Sequence, residues 1–459
     1  MAEHAIYLGL IGLLWIGYLA ASRWARTAGA QAPAQAGRHC LAICGGMLAL
    51  GGLLLVWPGP FSSDVYLYGS QSRMQVLYGL NPLVLPASTM GSDPLAALTP
   101  WRDQVSTYGP VWQAVTRLVG LVAESFGGTA QVYALLYKGT NLALMAVSVG
   151  LLWKITGELK WTAGRRTEAA ALFALCPLLL IEMVSNGHND MLLVVLLLGA
   201  VWLHLRGAWP LAVGVLVLGG LVKLTGFFLL PPYLVLLAYS SAGRVAAARR
   251  LSAALGISAA ICLVAYIPYA DPALPQAILK NPLIGFSTNS PALVVRDLLT
   301  YIEMSLRGVL VPADLTWRQA LENVRLPVWY GSLVIWGALA AALSLRVRDF
   351  GSLIHVWGLV MFSYLVVAAS WFQPWYIAAL VPVSALLPRG RLRNALLFLA
   401  FGGTLFYGVA SMTPGETSPP GVLQYYAAAV VFLPTLCYCA WSAWRERILT
   451  HDRVSFPAS

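Results

Sequence analysis

Long apolar runs alternate with short polar breaks along nearly the whole chain. They fall near residues 5–21, 40–57, 131–153, 168–184, 191–206, 209–223, 225–239, 251–268, 327–346, 351–369, 375–388, 394–411 and 422–443. Such runs predict membrane helices. Several are shorter than the roughly 20 residues a perpendicular crossing needs, so tilted or broken helices are expected there. Two longer, more polar segments interrupt the pattern, at 58–130 and 269–326. Within the first, 110–127 is amphipathic and reads as a helix lying in the interface.

Basic residues orient the runs. The first has no positive segment before it and Arg23, Arg26 and Arg38 after it, the reverse of a cleavable signal peptide. With the N-terminus outside, Lys154, Lys160, Arg165, Arg166, Arg244, Arg249 and Arg250 all fall on the cytoplasmic side. So do Arg346, Arg348, Arg389, Arg391, Arg393, Arg445 and Arg447, as the positive-inside rule asks. Counting 110–127 as a crossing would invert every later loop. The expected architecture is an all-α polytopic membrane protein, a single integral-membrane domain over 1–459. It has about 13 transmembrane helices, with 58–130 and 269–326 as two large outer-face loops.

Composition sharpens this picture. The 459 residues are 59% hydrophobic and only 10% charged, where a soluble domain carries about 25% charged residues. The net charge of +11 is dispersed between apolar segments, so it marks topology and not a nucleic-acid partner. The six cysteines, Cys40, Cys44, Cys176, Cys262, Cys437 and Cys439, form no CxxC pair and read as small core residues. The short inner loops hold no P-loop and no Rossmann glycine pattern, which excludes an ATP-driven pump for this chain alone. Any chemistry must use a substrate delivered on the outer face, or a lipid.

The candidate chemistry lies in polar islands at the outer ends of the runs. Asp64, in Ser62-Ser63-Asp64-Val65-Tyr66-Leu67-Tyr68, sits where a hydrophobic helix meets water; it is either a functional acid or a loop-helix cap. Glu182 precedes Ser185-Asn186-Gly187-His188-Asn189-Asp190. Ionisable groups at membrane depth are costly and usually functional, although Asn189 or Asp190 also suits a helix cap and His188 a structural role. Lys223, inside an apolar run, needs an anion: Glu182, Asp190 or a lipid phosphate.

The order Asp64-Val-Tyr-Leu-Tyr, Gly79-Leu-Asn-Pro82, Tyr108-Gly-Pro-Val-Trp112, Asn186-Gly-His-Asn-Asp190, Leu221-Val-Lys-Leu-Thr225 and Gln373-Pro-Trp-Tyr376 resembles the polyprenol-phosphate-mannose-dependent mannosyltransferases of the GT-C superfamily. It is most similar to the bacterial α-1,6-mannosyltransferases that build lipomannan-type glycans. The likeness covers roughly residues 55–390. It implies an inverting membrane transferase acting on the outer face of the cell membrane, with a polyprenyl-phosphate-mannose donor, a glycan or glycolipid acceptor and no further cofactor. The family's first outer loop carries a catalytic Asp, and Asp64 occupies that place. Many GT-C relatives have paired acids there, whereas Asp64 has no acidic neighbour, so no metal site is expected.

The chemistry is also arguable without the family. A sugar on a polyprenyl phosphate already carries a good leaving group, so the acceptor hydroxyl needs only a base, for which Asp64 is the candidate. The departing phosphate needs fixed positive charge, for which Arg73, Lys223 and Arg296 are candidates. Tyr66, Tyr68, Tyr108, Trp112 and Trp375, with Glu182, His188, Asn189 and Asp190, are candidate substrate contacts, the aromatic residues being equally suited to packing or the interfacial belt. Two alternatives stand: a transporter or flippase of lipid-linked sugars, using the helix breaks at Gly219-Gly220 and Pro231-Pro232, and a GT-C transferase using arabinose, glucose or aminoarabinose.

Overall fold

The computed structural model describes residues 2–56, 62–279, 287–307, 314–410 and 422–454. Residues 58–61 of the first expected loop, 280–286 and 308–313 of the second, and positions 57 and 411 at the ends of two apolar runs lie outside the described residues. Among the described residues, nine helices are long and apolar enough to cross a bilayer: Ile6–Gln31, Pro33–Val56, Ala130–Glu158, Ala163–Ser185, Arg244–Tyr269, Gln319–Ser344, Phe350–Ala368, Arg391–Val409 and Leu423–Glu446. Four shorter apolar helices, Asp190–Leu205, Trp209–Val222, Leu224–Tyr239 and Pro374–Leu386, account for the remaining apolar runs. The chain is an all-α polytopic membrane protein.

The short helices are short for visible reasons. Trp209–Val222 stops where Lys223 turns extended (φ −151°), and the chain restarts as a 3-10 turn, Leu224–Leu229. Ala163–Ser185 and Phe350–Ala368 each end in a π-helical turn, Leu180–Ser185 and Tyr364–Ala368. Such insertions re-aim side chains and gather at functional sites. Pro110–Ser125 follows its amphipathic pattern: Gln113 and Thr116 turn inward, and the Gln75 Nε2 of helix Asp64–Val76 donates to Thr116 Oγ1 at 2.8 Å.

Ala163–Ser185 forms the centre. In its most apolar stretch 89% of residues are buried, against 6% for Arg244–Tyr269 and Gln319–Ser344, which present their apolar surface to lipid. Small residues allow this enclosure. A methyl at Gly164 would fall 2.5 Å from the Arg26 carbonyl, so the two helices touch backbone to backbone. The helix is stitched at both ends to Arg391–Ala410: Glu168 accepts from Arg393 Nη2 at 2.6 Å, and Glu182 from the Tyr407 hydroxyl at 3.2 Å. Each pair of positions is fourteen residues apart, so the two helices run parallel and in register over about 21 Å.

These two ends define two faces. At one, Glu168 also accepts from Arg26 (3.4 Å) and Arg389 (2.9 Å), and Arg206 pairs with Glu158. The breaks rich in arginine therefore share a face. At the other, the 58–130 and 269–326 segments meet. Asn81 Nδ2 donates to the Tyr269 carbonyl (3.0 Å), the Thr288 N–H to the Ser370 carbonyl (2.9 Å), and Trp101 packs on Trp371 at 5.1 Å.

Candidate active site

Four elements converge on the face opposite the arginines. Asp64 occupies the first turn of helix Asp64–Val76 and is buried. Its side chain makes no cap; Ser63 holds the N-cap position without a side-chain bond. Instead Asp64 Oδ2 accepts from the Tyr108 hydroxyl at 3.3 Å and lies 3.6 Å from His188 Nδ1. The opposite ring nitrogen, His188 Nε2, lies 3.5 Å from Glu182 Oε2. Trp375 stacks on the imidazole, ring centres 3.6 Å apart. A histidine thus sits between two carboxylates under an indole, fully enclosed.

Local sequence explains each placement. Gly187 (φ +78°) turns the chain out of the π-helical end of Ala163–Ser185 and presents His188 back toward Glu182. Asn141 fixes that loop, donating to the Met183 and His188 carbonyls at 2.8 and 2.9 Å. Gly109 lets the Tyr108 loop reach the broken helix: its N–H donates to the Val222 carbonyl at 3.1 Å, and a methyl there would sit 2.1 Å from the Leu221 carbonyl oxygen. Tyr68 and Tyr108 are enclosed, and burial pushes both hydroxyls well up, followed by the Asp64 charge for Tyr68 and by Tyr68 and then Asp64 for Tyr108. They stay neutral, and Tyr108 remains a donor to Asp64.

The polar demand of the cluster is unevenly met. Glu182 Oε2 accepts from Asn186 (3.0 Å) and Tyr407, whereas Oε1, both nitrogens of His188 and both side-chain polar atoms of Asn189 are buried without a hydrogen bond among the described residues. Buried polar groups left open in this way are exceptional and need an explanation.

The other sequence candidates fall in three places. Asp190 and Lys223 pair with each other, Nζ to the two carboxylate oxygens at 2.8 and 3.0 Å, with the ammonium 4.3 Å over the Tyr376 ring; of the two carboxylates open to Lys223, Asp190 is the one it meets. Arg73 is used elsewhere in the first loop. It bonds Asp93 (2.8 Å) and Glu124 (2.9 Å). Desolvation lowers its pKa, but the Asp93 bond and the two carboxylate charges more than offset it, so the net shift is upward. Arg296 bonds the adjacent Asp297 at 2.6 Å, and Asp297 also accepts from Tyr425. The structure therefore does not bring Arg73 into the Asp64 cluster, and Arg296 faces an acid of its own.

Tyr68 and Trp112 pack edge to face at 5.0 Å within an aromatic group that includes Tyr137, and Tyr66 is half-buried against it. Of the acids described in the first loop, Asp93, Glu124 and Asp103 each pair with an arginine, whereas Asp64 meets Tyr108 and His188. Sequence reasoning missed Asn186 and Tyr376, although both stand in the motifs quoted above. Tyr407 carries no local signal, lying in a plain apolar run.

With this geometry in place, the comparisons with known proteins are informative. The family described as "Alpha-(1->6)-mannopyranosyltransferase, N-terminal domain" matches residues 2–239, just over half of the chain. A Mycolicibacterium smegmatis protein named a probable alpha-(1->6)-mannopyranosyltransferase is 31% identical over 163 residues. An alpha-(1->6)-mannopyranosyltransferase of Mycobacterium tuberculosis is 32% identical over 159. Each match covers 34% of this chain, and 27% and 26% of the respective relatives' own lengths.

Proposed function

Since the chain belongs to the alpha-(1->6)-mannopyranosyltransferase family through residues 2–239, we propose that it is a GT-C-type mannosyltransferase. It moves a mannosyl group from a polyprenyl-phosphate donor to a hydroxyl of a glycan or glycolipid, at the outer face and with inversion. The observation that carries this reading is Asp64 itself: a buried carboxylate at the head of the first loop, without a lysine or arginine partner among the described residues, on the face opposite the arginine cluster. Placing the arginines in the cytoplasm puts Asp64 outside.

In the reaction, an acceptor hydroxyl oxygen attacks the anomeric carbon as the carbon–oxygen bond to the donor phosphate breaks. The bonding pair leaves with the phosphate, and the hydroxyl proton passes to Asp64. Attack from the side opposite the leaving group turns a β-linked donor into an α-linked product. Tyr108 holds the Asp64 carboxylate by a hydrogen bond, and His188 stands between Asp64 and Glu182 at separations of 3.5–3.6 Å that leave room to tighten when substrate binds. Asn189 and the open oxygen of Glu182 are available to sugar hydroxyls.

The test uses purified protein in detergent with polyprenyl-phosphate-mannose and a short α-mannoside acceptor. Wild type should transfer mannose with inversion, and Asp64→Asn should not; equal turnover in the two ends the general-base assignment. Donors carrying arabinose or glucose in the same assay report the sugar class.

A further inference from the structure

We propose that Lys138 grips the phosphate of the lipid-linked donor. This rests on the transferase reading above, which leaves the phosphate ligand unassigned. Each of the three cations considered from sequence already meets a carboxylate: Arg73 with Asp93 and Glu124, Lys223 with Asp190, Arg296 with Asp297. Lys138 does not. It lies about two turns into helix Ala130–Glu158, is only 3% exposed, and has no hydrogen bond or ion pair with any described residue. Its stem is enclosed at membrane depth, where a cation favours an anion, and none of the described side chains supplies one.

Its location identifies the anion. A methyl built on Gly187 would touch Val65 at 3.3 Å and the Lys138 Cγ at 3.7 Å, so these three residues are mutual neighbours. Val65 follows Asp64, and Gly187 precedes His188. The lysine stem is therefore one residue removed from both groups of the central contact. Asn141, about one turn further along the same helix face, is bonded to the Met183 and His188 carbonyls, which pins this face to the loop.

An ammonium there is a compact charge suited to phosphate oxygens. As the anomeric carbon–oxygen bond breaks, its electron pair adds charge to the phosphate, and a fixed cation in a water-poor site offsets that charge where it develops. A purely structural lysine would have been matched to an acid, as Lys223 is.

Three full-length proteins in neutral detergent, wild type, Lys138→Met and Lys138→Arg, are titrated with polyprenyl monophosphate and, separately, with phosphatidylglycerol. Binding is read by calorimetry and by the ligand-induced rise in melting temperature. Lys138→Met should weaken polyprenyl-phosphate binding about 30-fold, with Lys138→Arg within a few-fold of wild type. Phosphatidylglycerol binding should be the same in all three. Without ligand, Lys138→Met should melt at or above wild type, because it removes an unpaired buried charge.

Wild-type affinity in Lys138→Met overturns the assignment, as does failure of that variant to fold. A matching loss of phosphatidylglycerol binding also overturns it, by showing a general lipid-anion site. Turnover assays separate the two claims. Active wild type with an unaltered Lys138→Met defeats Lys138 alone. Lysine-dependent binding in a wild type that transfers no mannose defeats the reaction and leaves the phosphate site standing.

Discussion

Glu168 and Glu182 lie on one helix, both enclosed, and meet opposite fates. Glu168 receives guanidinium groups from Arg26, Arg389 and Arg393. Glu182 receives neutral donors from Asn186 and Tyr407, faces an imidazole at 3.5 Å, and keeps one oxygen unbonded. Saturation at the first position holds helices together. Incomplete satisfaction at the second leaves a group able to respond to a substrate or a proton. The helix thus separates a saturated end from an unsaturated one, which the proposed function makes the reactive end, and the difference is in the partners, not in the residue.

Four substitutions break or sharpen that contrast. Asp64→Asn, at the reactive end, should lower kcat by about 10²–10⁴-fold while thermal unfolding in detergent stays close to wild type. A large drop in melting temperature instead would show that the reactive end is structural after all. Glu168→Gln should do the reverse. It leaves Arg393 enclosed without its partner, while Arg26 and Arg389, about half exposed, turn to water. A loss of about 3 kcal/mol is expected, at the low end for breaking a buried pair, with kcat per folded molecule unchanged.

Glu182→Gln is the informative intermediate. Stability should move by less than about 1 kcal/mol, since the carboxylate is only partly satisfied. Turnover should fall about tenfold as the imidazole loses its anchor, and the pH–rate profile should shift because one titrating group of the cluster is gone. An unchanged profile would show that Glu182 merely fills space. The smallest effect belongs to Asp349, which caps helix Phe350–Ser363. The Ser352 backbone and side-chain bonds hold its carboxyl below the usual range. That cap is complete above the unfolded-state pKa and is lost as pH falls through the folded value. Asp349→Ala should cost about 1 kcal/mol at neutral pH and little in acid, measured by unfolding at both.

Most of the fold was legible because a membrane helix announces itself locally. Thirteen apolar runs correspond to nine long and four short apolar helices among the described residues, and the amphipathic 110–127 became the packed helix Pro110–Ser125. The site was legible by type more than by partner. Asp64, His188, Glu182 and Trp375 could be named from their motifs, yet nothing in the sequence says that the imidazole stands between the two carboxylates. Lys223 had two candidate carboxylates, and only tertiary placement selects Asp190 over Glu182. Arg73 looked like a phosphate ligand because Asp93 and Glu124 are 20 and 51 residues away in the chain. Tyr407, 225 residues from Glu182, had no signal at all.

The twin stitches between helices Ala163–Ser185 and Arg391–Ala410 also have a history in time. Arg389 and Arg393 emerge from the ribosome 221 and 225 residues after Glu168, and Tyr407 the same 225 after Glu182. At ordinary elongation rates the central helix waits roughly 10–45 s in the membrane before either carboxylate meets these partners. A chain truncated before residue 389 keeps Arg26 beside Glu168 and Asn186 beside Glu182, but lacks Arg389, Arg393 and Tyr407. The pairing of the central helix, begun by Arg26 and Asn186, is therefore completed only by residues that follow it by more than 200 positions.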